Sequence, residues 1–280
     1  MRVIDTEILV ERIAEMCIQA ATCLPEDVMS GLQKAKTEEK SPVGSAILDV
    51  LLENAALAKR ERVPICQDTG VAVFFVDLGH EAVLQGDLYE AISKGTALGY
   101  KRGYLRMSIA GEPLFDRKNT GTNTPPIVHV RLVPGDALRI TLAAKGGGSE
   151  NMSAMAMLKP SDGRAGVEKF VLETVRKAGG NACPPMVVGI GLGGNFEIAP
   201  YLAKKALLRQ LGEPHPDSRY ADFEREMLEL INKTGIGPQG LGGKVTALAV
   251  HVEYAPCHIA SLPVAVNFNC HVARHAVLEV

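Results

Sequence analysis

The sequence predicts an α+β fold: a helix-rich N-terminal region followed by strands and helices mixed without regular alternation. Three observations point there. Apolar residues recur at helical spacing through the first 60 residues. Beyond them, short apolar runs bounded by Gly and Pro have the pattern of buried strands. Helical stretches separate some of these runs but not others, so no regular βαβ series is set up. A chain of 280 residues accommodates one large domain or two lobes.

Composition narrows the class. Hydrophobic residues make up 46% and charged residues 22%, as in soluble globular proteins. Aromatics are only 5% and Trp is absent, so the core leans on Ala, Val, Leu, Ile and Met. A net charge of -2 gives no electrostatic case for nucleic acid or an anionic membrane. No apolar run approaches the roughly 20 residues of a membrane span. The start, Met1–Glu7, lacks the apolar core of a signal peptide, and its acids argue against a transit peptide. The expected location is cytoplasmic. Disulfides are then not expected among Cys17, Cys23, Cys66, Cys183, Cys257 and Cys270, and no C-x-x-C is present.

Residues 6–22 place Val10, Ile13, Ala14, Cys17 and Ala21 on one stripe, which predicts an amphipathic helix with Cys17 in the core. Cys23, at the helix end, is also read as structural. Pro25-Glu26-Asp27 is a helix start, acidic in its first turn. Ser41-Pro42 opens a helix over about 43–59, with Ile47, Val50, Leu51, Ala55 and Ala58 on one stripe. The first 60 residues therefore read as all-helical. Pro64 and Gly70 bracket a loop, Val63–Gly70, and Val71–Val76 follows as a buried strand. Residues 87–101 predict a helix. Residues 111–126, rich in Gly, Pro, Asn and Thr, predict a long loop, functional or disordered. Ile127–Leu132 and Ala137–Ala143 predict strands of a hairpin turning at Pro134-Gly135-Asp136.

Lys145-Gly146-Gly147-Gly148-Ser149-Glu150-Asn151 follows that hairpin. Three successive glycines cost order on folding, which suits a place where backbone approaches a ligand better than a plain linker. A helix from 162 or 163 to 177 ends at Gly179-Gly180. Met186–Ile190 is a strand, Gly191–Gly194 a glycine turn, and 196–211 a helix. The pattern is close to a dinucleotide fingerprint but departs from G-x-G-x-x-G, and no second strand ending in Asp or Glu follows. A helix over 220–233 leads to a second glycine-rich loop, Gly235–Lys244. Strands at 245–254 and 263–268 then bracket Cys257-His258, and Asn269-Cys270-His271 comes last.

Cys66-Gln67-Asp68-Thr69 puts a soft ligand or nucleophile, an amide, a carboxylate and a hydroxyl on one loop held by a packed strand. A buried cysteine in an ordinary turn fits the same residues. Cys66, Cys183 and Cys270 each lie at a strand edge among Gly, Pro or polar neighbours, far apart in the chain. Distant thiolates of this kind fit a metal cluster assembled by the fold. Three ligands on a four-iron cluster leave one iron open, able to act as a Lewis acid.

These motifs resemble the α subunit of class I, iron–sulfur-dependent fumarases and the related L(+)-tartrate dehydratases. The matching residues are Ile65–Gly70, Lys145–Asn151, Cys183-Pro184-Pro185 with its glycine-rich continuation, and Asn269-Cys270. The resemblance spans essentially the whole chain. It implies a single α-subunit domain over 1–280, with residues 1–60 as a helical region and 61–280 as the cluster- and substrate-binding region. It implies a [4Fe-4S] cluster on Cys66, Cys183 and Cys270, and reversible hydration of fumarate to L-malate. It places Gln67, Asp68, Arg106 and the backbone near Gly148 against a small dicarboxylate substrate. It maps a family histidine to His258, and Asp68 and His258 are expected to hydrogen-bond each other as the catalytic pair that manages the hydroxyl proton. It also implies a separate β subunit that completes the site and supplies the base for the C3 proton, and a dimer of αβ units. Tartrate dehydration, a non-enzymatic iron–sulfur or redox-sensing module, and a nucleotide-binding domain remain alternatives.

Overall fold

In the computed structural model, which describes residues 2–280, the elements run in the order Arg2–Asp5 (β1), Glu7–Thr22 (α1), Glu26–Glu38 (α2), Pro42–Glu61 (α3), Val71–Gly79 (β2), Ala82–Gln85 (β3), Leu88–Arg102 (α4), Ile127–Val133 (β4), Leu138–Lys145 (β5), Gly147–Glu150 (α5), Ala154–Leu158 (β6), Gly163–Ala178 (α6), Met186–Gly194 (β7), Ile198–Ala206 (α7), Ser218–Asn232 (α8), Ala247–Cys257 (β8), Leu262–Asn269 (β9) and His275–Glu279 (β10). The fold is α+β. Helices expected from periodicity lie within about two residues of their predicted bounds, except that the one expected over 196–211 already ends at Ala206. The short β1 was not anticipated: it pairs in parallel with β3, a partner some 80 positions along the chain that no local pattern announces.

The chain forms two compact units. The first comprises the chain up to Pro25, Asn54–Gly147 and Arg274–Val280; the second comprises Glu26–Glu53 and Gly148–Ala273.

The first unit holds a four-stranded sheet in the order β10-β5-β2-β4. β2 is parallel to β4 and antiparallel to β5, so the predicted hairpin between β4 and β5 does not form. The physical reason is burial. Ala72, Val73, Phe74 and Val76 are all but inaccessible, and a strand that apolar takes the sheet interior. β4 exposes Ile127, Val130 and Leu132 and takes the edge. The Pro134-Gly135-Asp136 turn closes on the end of β2 instead, through Gly79 N to Ala137 O (2.8 Å), His80 N to Val133 O (2.9 Å) and Glu81 N to Gly135 O (3.0 Å). α1 and α4 pack together over this sheet around Leu9, Ile13, Cys17, Ile92 and Tyr100. Cys17 is buried there as expected, and burial pushes its thiol up to about 12, despite a contact from Thr96.

The second unit holds the sheet β6-β9-β7-β8, in which β7 is parallel to β8 and antiparallel to β9. The glycine turn expected after Ile190 is strand: β7 runs on to Gly194. Its glycines serve packing. A β-carbon on Gly191 would fall 2.0 Å from Ala199 O, and one on Gly189 would fall 2.1 Å from Ala203 O, so α7 lies directly on the strand. The glycine-rich loop 235–243 is held by Glu39. Its carboxylate accepts from Lys40 N, Ser41 N, Lys244 N and Val245 N at 2.8–2.9 Å. Burial alone would raise that carboxyl's pKa, but the four amides together hold it below the usual carboxylate range. Among the described residues no helix is long and apolar enough to cross a membrane.

Candidate active site

In the first unit, the Cys66 loop is fixed at both ends and exposed between them. Ile65 is buried; its N donates to Ala21 O (3.0 Å), and Asn54 Nδ2 donates to its carbonyl (2.9 Å). At the other end Thr69 is buried, and its Oγ1 donates to Arg106 O (3.0 Å). Tyr100 Oη reaches the carbonyls of Thr69 (3.0 Å) and Gly70 (2.9 Å), and Asn123 Nδ2 donates to Gly70 O (3.1 Å). Cys66 and Gln67 are left exposed on a short, anchored span. Asp68 is turned toward the triple-glycine run: its Oδ1 accepts from Gly70 N (3.0 Å) and its Oδ2 from Gly147 N (2.7 Å).

Arg106 joins this group through the Thr69 bond to its carbonyl. Its guanidinium is exposed and has no hydrogen-bond or ion-pair partner among the described residues. A planar, unpaired fork beside a rigid loop is suited to a carboxylate. The first unit thus brings together Cys66, Gln67, Asp68, Arg106 and Gly147. The loop 105–124 is ordered by Asn123, whose Oδ1 accepts from Ser108 N (2.7 Å), and by Asn119, whose Nδ2 donates to Met107 O (2.7 Å).

In the second unit, Cys183 ends a tight turn in the left-handed region (φ 51°) just before β7, and Cys270 directly follows β9. β7 and β9 are antiparallel with Val187 opposite Asn269, so both cysteines leave the sheet at the same end. His271 N donates to Cys183 O (3.1 Å), tying the two segments together. Gln239 N and Nε2 both donate to Pro184 O (2.7 and 2.8 Å), so the second glycine-rich loop braces the cysteine turn. Gly148 lies beside this turn: a β-carbon there would stand 3.5 Å from Asn181 O. Cys183, Cys270 and Gly148 are therefore neighbours at one end of the sheet.

His258 is not among them. It sits on the turn joining β8 and β9, where Ala260 N donates to its Nδ1 (3.1 Å) and Ser261 N to its carbonyl (2.9 Å). β8 ends with Cys257 opposite Gly194, the far end of β7 from Met186. At about 3.3 Å per residue, this separates His258 from the Cys183–Cys270 end by roughly 25 Å.

None of the six cysteines is in a disulfide. Among the described residues no three His, Cys, Asp or Glu side chains gather as they would around one ion. A multi-iron cluster asks for something else: thiolates on separate irons, each on an ordered and accessible loop. Cys66 is exposed and Cys183 and Cys270 are half-buried, each at a strand edge with its neighbours hydrogen-bonded. Their donor chemistry fits such a cluster, whereas buried Cys17 does not.

The sequence profile of the family described as "Fumarate hydratase (Fumerase)" matches residues 10–279. The chain belongs to the fumarate hydratase family. Its relatives include a protein of Methanocaldococcus jannaschii provisionally named as L(+)-tartrate dehydratase subunit alpha, 43% identical over 96% of each chain. The L(+)-tartrate dehydratase subunit alpha of Escherichia coli strain UTI89 is 36% identical, over 97% of this chain and 90% of the relative. The protein of the same name from Escherichia coli strain K12 is 35% identical over the same shares. Members of the fumarate hydratase family are hydro-lyases, and the family is in general iron–sulfur dependent. Within this family chain, Tyr100, Asn123 and Gln239 position the reactive loops, and sequence reasoning gave none of them a role. Gln239 and Asn123 had a signal, the first from its place inside a glycine-rich run and the second from its place in the long loop 111–126; Tyr100 had none.

Proposed function

We propose that the chain is the α subunit of a [4Fe-4S] hydro-lyase that reversibly hydrates fumarate to L-malate, with a separate β subunit completing the site and a dimer of αβ units as the assembly. The observation that carries this reading is the Cys66–Asp68 span, with Cys66 and Gln67 exposed between anchored ends beside the unpaired guanidinium of Arg106. Cys66, Cys183 and Cys270 would hold the cluster. When bound, the cluster supplies an iron without a protein ligand, a Lewis acid for the substrate hydroxyl. Arg106 grips one substrate carboxylate bidentately, and Gln67 and the backbone near Gly148 orient the remainder. Asp68, held by two amides, takes and returns the proton of the hydroxyl. His258 shares this task. In the dimer of αβ units that the resemblance implies, its turn at the far end of the sheet would serve the site of a second copy of the chain. The C3 proton is left to a base on the β subunit. With six cysteines outside any disulfide, a reducing cytoplasm suits the chain.

The test is turnover by the αβ complex. Fumarate hydration is expected, and Asp68→Asn should lose about a hundredfold or more in kcat while the visible cluster spectrum is unchanged. Near-normal activity in Asp68→Asn, or robust hydration by this chain without its partner, contradicts the reading. The names of the relatives favour a second substrate, L(+)-tartrate, which carries one more hydroxyl. Higher kcat/KM with tartrate than with malate in the same assay would select it.

A further inference from the structure

Arg274 opens the last segment of the first unit, one residue before β10. Its side chain is buried, with the residue 3% exposed, and Nε and Nη1 have no hydrogen-bond partner among the described residues. A guanidinium stays charged at every physiological pH, and a buried charge needs a counter-charge to be tolerated. The backbone does not let this one escape. Ala144 N donates to Arg274 O (3.3 Å), and β10 is paired along β5.

What the guanidinium faces is the triple-glycine run. The β-carbon that Gly146 lacks would stand 3.6 Å from Arg274 Nη2 and 3.3 Å from Asp68 Oδ2. The two charges flank the same glycine. They make no direct ion pair, so the attraction acts through a gap that glycine keeps open, in surroundings where charges are poorly screened. The hydroxyl of Tyr100, which ties down the same loop, feels both. Burial chiefly pushes its pKa up, with Arg274 pulling it back and Asp68 adding to the rise.

We propose that Arg274 is a positioning residue for Asp68: its buried charge, acting across Gly146, holds the carboxylate on the amides of Gly70 and Gly147. The inference deepens the role given to Asp68 above and rests on it for its link to catalysis.

The first test is a double-mutant cycle on the full chain, read by denaturant midpoint: wild type, Asp68→Asn, Arg274→Met and the pair together. Asp68→Asn is expected to lower the midpoint while Arg274 is present and to lower it at most half as much once Arg274 is Met. Additive shifts overturn the proposal. Should Arg274→Met fail to fold, Gly146→Ala reads the same gap. Its methyl group should lower the midpoint in the wild type but not in Asp68→Asn, and equal losses overturn the proposal. This cycle needs neither cluster nor partner nor turnover, so it reads the Asp68–Arg274 coupling even if the hydro-lyase assignment fails. The second test uses the αβ complex. Arg274→Met should lose about tenfold in kcat with KM for the dicarboxylate within about twofold, and Arg274→Lys should recover part of the loss. A higher KM at unchanged kcat would make Arg274 a substrate ligand and overturn the positioning role.

Discussion

Tyr100 shows how one buried hydroxyl sets a reactive loop. It carries no chemistry itself, yet it bonds the carbonyls of Thr69 and Gly70 and so fixes where Asp68 stands. Tyr100→Phe should keep the ring's packing and lose the hydrogen bonds, at a cost of about 1–2 kcal/mol in a urea unfolding experiment. An unchanged midpoint would mean that the loop is held by its other contacts. At this scale the sequence was informative about chemical types and blind to support. Cys66, Gln67 and Asp68 stood out because reactive side chains gather on one loop between Pro64 and Gly70, although an ordinary turn fits the same residues, and matching motifs elsewhere in the chain decided between the two. Tyr100 and Asn123 did not stand out, because their partners lie 30 and 53 positions away and no local pattern marks such a bond. Cys17 was legible for the opposite reason: helical spacing put it on the apolar stripe, and its raised pKa agrees with that place.

At the scale of elements, periodicity located the helices, because an amphipathic stripe is a local signal. Strand partners were less legible. The turn at Pro134-Gly135-Asp136 promised a hairpin, but the more apolar β2 took the position between its two strands. Likewise, Gly189–Gly194 had the composition of a phosphate-binding turn, whereas its glycines let α7 lie on β7. That second reading has a direct consequence. Gly191→Ala would drive a β-carbon into Ala199 O, a backbone atom that cannot step aside. The substitution should destabilise the chain by about 3 kcal/mol in denaturant unfolding. A stable, soluble Gly191→Ala would show that α7 can lift off the sheet.

Across the whole molecule, the two units are interleaved in sequence, and the chain passes between them at Pro25–Glu26, Glu53–Asn54, Gly147–Gly148 and Ala273–Arg274. No composition shift marks these crossings; the second lies within the single helix α3. Two of the four fall on segments singled out for chemistry, the triple-glycine run and the stretch after Cys270. One part of the molecule's pH response follows from a residue outside the site. His251 is buried, and burial, with Arg209 adding, lowers its pKa to about 3. The folded state keeps it neutral, while the unfolded chain takes up a proton near the ordinary value of 6.5. Its contribution is therefore fully present above pH 6.5 and is lost as pH falls from there toward 3, at about 1.4 kcal/mol per pH unit. His251→Asn should flatten the stability–pH curve over that window, and a curve that keeps its slope would assign the acid sensitivity to other groups.

The central claim is that three distant cysteines serve one cluster. It is tested most directly by iron and sulfide content, with a visible spectrum, on the anaerobically purified chain and its Cys66→Ser, Cys183→Ser, Cys270→Ser and Cys17→Ser variants. The expected result is about four irons per chain, lost in each of the first three variants and kept in the fourth. A reconstituted chain without iron, or a Cys66, Cys183 or Cys270 variant that retains the full complement, would contradict it.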